Sequence, residues 1–251
     1  MRCFPRYLLA AVLGLLLGGP AQARQWLVVG THFPQVYERT AEGHFIGLAP
    51  AVLRRLAVEL GDNLRFELHP WARAQLMVEL GQADILVGPY RNAEREARFA
   101  FAAEPFYQDS MVLFARRGHE PPWDGLYQNL QGRRIAVVRG WTYGGQFEQA
   151  RQQLNPVVVE SVQNGLRMLA IGRVDLLASN QRNTRPYLAD QQLAAQIREL
   201  QPQLDIQRGY FAFPRDARHA ALRQRIDEQF RQFIASGRLA SLGQSLGVAV
   251  P

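Results

Sequence analysis

GQADIL at residues 81–86 and GRVDLL at residues 172–177 carry one arrangement twice: a glycine, two variable residues, an aspartate, and the first apolar residues of a strand. Each copy closes a helical pattern. Ahead of the first, residues 72–80 read as a helix, and before it Phe66 and Leu68 alternate as in a strand. Further back, Leu48, Val52, Leu53, Leu56 and Leu60 share one face of a helix over residues 48–60 that stops at Gly61. Residues 26–29 form a short buried strand ending at Gly30 and Thr31. Ahead of the second copy the order recurs: a strand over 134–138, a glycine-bearing loop over 140–145, a helix over 146–153, a strand over 157–159, and a helix over 162–171 with Ser161 as N-cap. Residues 84–87 and 111–115 read as further strands. From Asp216 on, Leu222, Ile226, Phe230 and Phe233 recur at helical spacing, and a short Ser/Gly/Leu helix follows. Alternating strands and helices predict an α/β fold, and the repeat predicts two lobes. Ligands of open α/β sheets sit beyond the carboxyl ends of the strands, so the loops after Val29, Val87 and Val138 are the expected binding loops.

The chain has 251 residues, 47% hydrophobic and 20% charged, which suffices for one large core or two smaller ones and excludes a mainly disordered or fibrous chain. Its 29 basic residues are all arginine, so Schiff-base lysine chemistry and a phosphate-loop lysine are excluded. Arg2 and Arg6 precede an apolar run over residues 7–17, and Ala21 and Ala23 form a small-x-small cleavage pattern. Residues 1–23 are therefore expected to be a secretory signal peptide, the run being well short of the roughly 20 residues that span a bilayer. The single cysteine, Cys3, lies inside it, and a cysteine-free exported chain suits the periplasm. The net charge of +7 is dispersed over pairs such as Arg54 and Arg55, with no basic helix or finger motif, so nucleic acid is not an expected partner. No metal or cofactor is expected: His32, His44, His69, His119 and His219 show no ligand spacing, and no G-x-S-x-G turn offers a nucleophile.

Candidate binding residues cluster after the first G-x-x-D. The strand leaves at Gly88, turns through Pro89 and Tyr90, and enters a helix near Asn92 with Arg95 in its first turn. An arginine fork beside a helix N-terminus suits a carboxylate. The plainer reading is that Arg91, Arg95 and Arg98 pair with Glu94 or Glu96 in solvent, and the residues alone leave both open. Phe33, Tyr37, Trp71, Tyr90, Trp141 and Tyr143 lie near loop ends, where they form either core or ligand walls. Trp141 and Tyr143 flank Thr142 in a glycine-rich turn where core packing is expected to be sparse.

In this order the segments resemble the bacterial family 3 extracellular solute-binding proteins, over residues 24–251. The opening GTHFPQVYE, then EGHFIGLAPAVLRRLAVELG, HPWARAQLMVELGQADILVG, NAEREARFAFAAEPFY, LQGRRIAVVRGWTYGG, IGRVDLLASN and the closing FAFPRD carry the resemblance. It implies a two-lobed type II periplasmic binding fold, each lobe a mixed sheet flanked by helices, with the ligand cleft between lobes. The implied division is lobe 1 over 24–112, lobe 2 over 113–208, and a return to lobe 1 over 209–251. It implies a monomer that closes on a small solute, an amino acid or related organic anion, and delivers it to the permease of an ABC importer, with no enzymatic step. The T-x-x-R arginine, which grips the ligand carboxylate in the family, falls on Arg95; Gly88 and Tyr90, Trp71, and the loop Trp141, Thr142 and Tyr143 are the other implied contacts.

Two departures bear on the ligand. The position where many relatives hold the ligand ammonium with an aspartate is Asn180, and an acidic residue often found after the first Gly-Thr is His32. Without those carboxylates the cleft attracts a cation less, and a more aromatic, less acidic site is expected. Two other readings share the cleft: a dehydratase-like enzyme using His32 or Glu104, and a ligand-sensing partner of a membrane receptor.

Overall fold

The computed structural model describes residues 24–251; the expected signal peptide lies outside the described residues. Lobe 1 opens with β1 (Gln25–Gly30), the short pair β2 (Glu38–Arg39) and β3 (Phe45–Ile46), α1 (Leu48–Leu60), β4 (Asn63–Leu68), α2 (Trp71–Glu79), β5 (Ile85–Tyr90), α3 (Ala93–Arg98) and β6 (Ala100–Phe101). A long strand β7 (Tyr107–Arg116) leads to β8 (Ile135–Val138), α4 (Gly145–Leu154), β9 (Val157–Val159), α5 (Val162–Ala170), β10 (Leu176–Asn180), α6 (Gln181–Thr184), α7 (Gln191–Gln196) and β11 (Ile197–Glu199). The second long strand β12 (Asp205–Phe213) precedes α8 (Ala217–Ala235) and α9 (Arg238–Leu246). The expected strands and helices are present within a few residues of their predicted bounds. The main additions are the nine-residue strand β12 and the short elements β2, β3, β6, β11, α6 and α7, which the sequence reading did not name, and β5 continues through Pro89 to Tyr90, where a turn was expected.

The sheet runs β4-β1-β5-β12-β7-β10-β8-β9. β1 is parallel to β4 and β5, as β8 is parallel to β9 and β10, and each set is closed by an antiparallel long strand, β12 on β5 and β7 on β10. The repeat seen in the sequence is thus a repeat of topology. Its aspartates serve one purpose in both halves: Asp84 Oδ2 accepts the Leu27 N–H at 2.7 Å and Asp175 Oδ2 accepts the Arg134 N–H at 2.9 Å. Each holds a backbone N–H of the central strand of its lobe, Leu27 within β1 and Arg134 just ahead of β8.

The two long strands join the lobes. β12 pairs with β7 over Asp205 to Gly209 and with β5 from Gly209 to Ala212, the register with β5 shifting between Gly209 and Phe211. Gly209 marks the change, because a Cβ there would meet the Tyr107 ring at 1.8 Å. The C-terminal helices pack on lobe 1. Leu222, Ile226, Phe230 and Phe233 of α8 are all at most 3% exposed, each contributing about 1.5 to 3 kcal/mol on burial, and Phe230 meets Phe211 edge to face at 6.1 Å. At the N-terminal end of α8 the buried His219 ring holds Asp216 at 2.6 Å and Asp84 at 2.9 Å, tying the helix to the first G-x-x-D.

Candidate functional site

Arg95 lies where the strand end of lobe 1 meets the loop after β8 of lobe 2. Asn92 caps α3, accepting the Arg95 N–H at 2.8 Å, and the arginine side chain turns inward and is 5% exposed. Its Nη1 donates to the Tyr90 carbonyl and its Nη2 to the Gly140 carbonyl, each at 2.8 Å, and its guanidinium lies 5.8 Å from the centre of the Trp71 ring. Burial lowers its pKa from the ordinary arginine value, and the neighbouring groups only partly offset this. A guanidinium held in this way, on neutral carbonyls, favours an anion. Its neighbours follow the plainer reading in part: Arg91 pairs with Glu96 at 2.5 Å, whereas Arg98 takes Glu79 at 2.7 Å and stands 3.8 Å from Glu94. The helix N-terminus adds little for an anion, since α3 is one short turn and a half and the Asn92 cap takes one of its donors.

Phe33, Trp71, Gly88, Tyr90 and Trp141 join Arg95 around a cavity of about 10 Å³, room for roughly one water molecule. Phe33 and Trp71 meet edge to face at 5.6 Å. Gly88 has φ +84, and a Cβ there would crowd the Tyr107 hydroxyl at 3.0 Å and Phe33 at 3.2 Å; its carbonyl accepts from that hydroxyl at 2.9 Å. Two open grooves flank the cavity. One, of about 880 Å³, passes Asn92, Arg95 and Thr142, whose hydroxyl donates to Gln207 at 3.4 Å. The other, of about 400 Å³, passes His32, Trp71, Trp141 and Asn183. His32 is exposed and sits at that outer groove, away from the cavity wall.

Tyr143 is a correction to the expected contacts. It is fully buried in lobe 2, its ring 5.0 Å from Phe147 and its hydroxyl accepting the Val138 N–H at 2.7 Å. The glycines on either side let the chain turn so that this ring points back into the core, while Trp141 faces the cleft. Asn180 is also buried, with Oδ1 accepting the Asn183 N–H at 2.8 Å as the cap of α6 and Nδ2 donating to the Tyr90 hydroxyl at 3.1 Å.

Behind Tyr90 and Asn180, Asp109 and Arg182 form a buried ion pair, and sequence reading passed over both. The Tyr90 hydroxyl donates to Asp109 at 2.7 Å, and Arg182 grips the same carboxylate through Nε at 2.9 Å and Nη2 at 2.7 Å. Burial and the adjacent Asp109 charge raise the Tyr90 pKa well above its ordinary value, so the phenol remains a donor. Arg182 also donates from Nη1 to the Pro34 carbonyl, across the cleft from its own lobe. A charge in the middle of an apolar strand, as in YQDSMVLF, was the available signal, because such a group needs a buried partner.

The fold is shared with solved structures. A histidine kinase sensor domain described as similar to periplasmic binding proteins matches with a TM-score of 0.77 at 21% identity, covering 91% of this chain and 99% of that one. A mutant of ArgBP from T. maritima matches with a TM-score of 0.73 at 19% identity, covering 88% and 94%. An ABC uptake transporter substrate binding protein from Streptococcus pneumoniae with bound histidine matches with a TM-score of 0.72 at 14% identity, covering 88% and 92%. A comparison with curated proteins finds no match. The family model for bacterial extracellular solute-binding proteins, family 3, matches residues 26–246, nearly the whole described chain. With its two-lobed α/β sheet and a buried arginine at the cleft, the chain belongs to the bacterial extracellular solute-binding proteins, family 3.

Proposed function

We propose that the chain captures a small carboxylate-bearing solute between its lobes, with Arg95 as the carboxylate receptor and Trp71, Tyr90 and Trp141 as walls. The observation that carries this reading is the Arg95 guanidinium, 5% exposed and aimed at the Gly140 carbonyl of the opposite lobe. A carboxylate is a stronger acceptor than a carbonyl, so a solute that displaces Gly140 converts a neutral contact into a charge-assisted one. The contacts of both lobes with such a solute provide the differential affinity that lobe closure requires.

The proposal includes export to the periplasm after removal of residues 1–23, lobe 1 over 24–112 and 209–251, lobe 2 over 113–208, a monomeric state, and delivery to the permease of an ABC importer. A membrane sensor is the second reading, favoured by the sensor domain whose chain is matched over 99% of its length. Binding without catalysis is the reading the side chains favour. Of the groups suggested for acid or base work, His32 stands at the outer groove and Glu104 is exposed next to Ala103, whose N–H is held by Asp227 of α8. Calorimetric titration of the processed chain with a panel of small carboxylates tests the proposal. Saturable binding that Arg95→Lys abolishes supports it, and absence of binding across the panel overturns it.

A further inference from the structure

Resting on the assignment of Arg95 as carboxylate receptor, we propose that Tyr90 sets the ligand class: the site takes small apolar or aromatic monocarboxylates without an ammonium group, in preference to the matching α-amino acids. The walls around Arg95 are Phe33, Trp71, Tyr90 and Trp141, one cation among aromatic faces. A monoanion neutralises that cation, and its apolar remainder meets ring edges and faces. A zwitterion brings a second charge, which needs an acceptor of its own when taken out of water.

The polar groups behind Tyr90 are already committed. Asp109, the buried carboxylate behind the wall, is held by the Tyr90 phenol at 2.7 Å and by two nitrogens of Arg182 at 2.9 and 2.7 Å. Asn180 turns its amide nitrogen toward the same phenol because its oxygen is used by the Asn183 N–H, so it presents a donor where an ammonium needs an acceptor. Along the larger groove Glu148 pairs with Arg151 at 2.5 Å and Glu94 points to solvent, 3.8 Å from Arg98, and along the smaller one Glu160 pairs with Arg139 at 2.7 Å. Tyr90 is thus the wall that separates a bound carboxylate from Asp109, and its ring and hydroxyl fill the space through which an ammonium would reach it.

Matched pairs read the effect: 3-phenylpropanoate against L-phenylalanine, and propanoate against L-alanine, titrated into the processed protein. The deaminated member of a pair is expected to bind at least 100-fold more tightly. Tyr90→Ser opens Asp109 and Asn180 to the cleft and is expected to narrow that ratio at least tenfold. Equal or tighter binding of the amino acids to the wild type, with Arg95→Lys still abolishing it, overturns the role of Tyr90 and leaves the carboxylate receptor standing. If neither member of either pair binds, the carboxylate receptor itself falls, and this inference with it. Should Tyr90→Ser fail to fold, the wild-type ratios alone decide.

Discussion

The Tyr90 hydroxyl, at the end of β5 in lobe 1, accepts a hydrogen bond from the Asn180 amide at the end of β10 in lobe 2, at 3.1 Å. The phenol donates onward to Asp109, so one residue from each lobe and one from a crossing strand share a single chain of bonds. Asn180→Ala removes both the N-cap of α6 and the donor to Tyr90. The expected cost is about 1 to 3 kcal/mol, within the range for a lost cap and for a buried polar group left short of a partner. Urea denaturation of the variant checks it; a midpoint unchanged from wild type is the outcome that removes this bond from the list of lobe contacts that matter.

Arg95→Lys retains the charge and loses the fork. A lysine ammonium cannot reach the Tyr90 and Gly140 carbonyls and a ligand carboxylate with the same planar geometry. Ligand affinity is expected to fall by about 2 to 5 kcal/mol, the range for truncating one partner of a buried charge pair, with the melting temperature changed by much less. Calorimetry with any carboxylate that binds the wild type separates the two effects.

Asp109 and Arg182, 2% and 8% exposed at their side chains, are an ion pair deep in the molecule. Removing one member leaves the other charge buried. Arg182→Met is expected to destabilise the protein by about 3 to 5 kcal/mol, and the double variant with Asp109→Leu to recover part of that loss, because an apolar pair has no desolvation cost to offset. Chemical denaturation of both variants measures the difference, and additive losses would mean the pair is not coupled as the geometry indicates.

Much of the fold is legible because its signals are local. The spacing of Leu48, Val52, Leu53 and Leu56 writes a helix into consecutive turns, and Gly61 ends it in the left-handed conformation. Asp84 and Asp175 recur because each lobe needs the same clamp on its first strand. The site was legible in part: the structure gathers Arg95, Trp71, Gly88, Tyr90 and Trp141 around one cavity. What escaped is long-range. Asp109 and Arg182 lie 73 residues apart, and nothing near either announces the other. Tyr143 was misassigned because the glycines on either side of it say that the chain turns, not which way the ring between them points.

Asp175 gives the stability of lobe 2 a pH dependence. Its hydrogen bonds from the Arg134 side chain, outweighing burial and joined by the Arg134 backbone N–H, hold its carboxyl below the ordinary aspartate value. A carboxyl with a lowered pKa contributes its full stability above the unfolded value and loses it as the pH falls through the folded one. Asp175→Ala is therefore expected to be less stable than wild type at neutral pH, by about 1 kcal/mol for bonds this close to solvent. The two should converge as the pH drops below the ordinary aspartate range. A gap that persists to low pH would assign the loss to packing around Gly172 and Arg134 and not to the ionised carboxylate.

The start of the chain offers the last test. The Arg24 nitrogen lies 3.2 Å from Asp62 Oδ1, and the same carboxylate accepts the Trp26 indole N–H at 2.9 Å and stands 3.1 Å from Arg225 of α8. The Asp62 side chain is only 6% exposed. If the exported chain begins at Arg24, that nitrogen becomes an α-ammonium, and a neutral N–H contact becomes a charge-assisted one, about twice as strong. Processing then stabilises the fold by anchoring β1 to the turn after α1 and to the C-terminal helix. Intact-mass measurement of exported material should give a chain starting at Arg24. Asp62→Ala should lower the stability of that processed form by about 1 to 3 kcal/mol, more than it lowers that of a chain carrying one additional residue before Arg24. Equal losses in the two would show that Asp62 serves Trp26 and Arg225 alone.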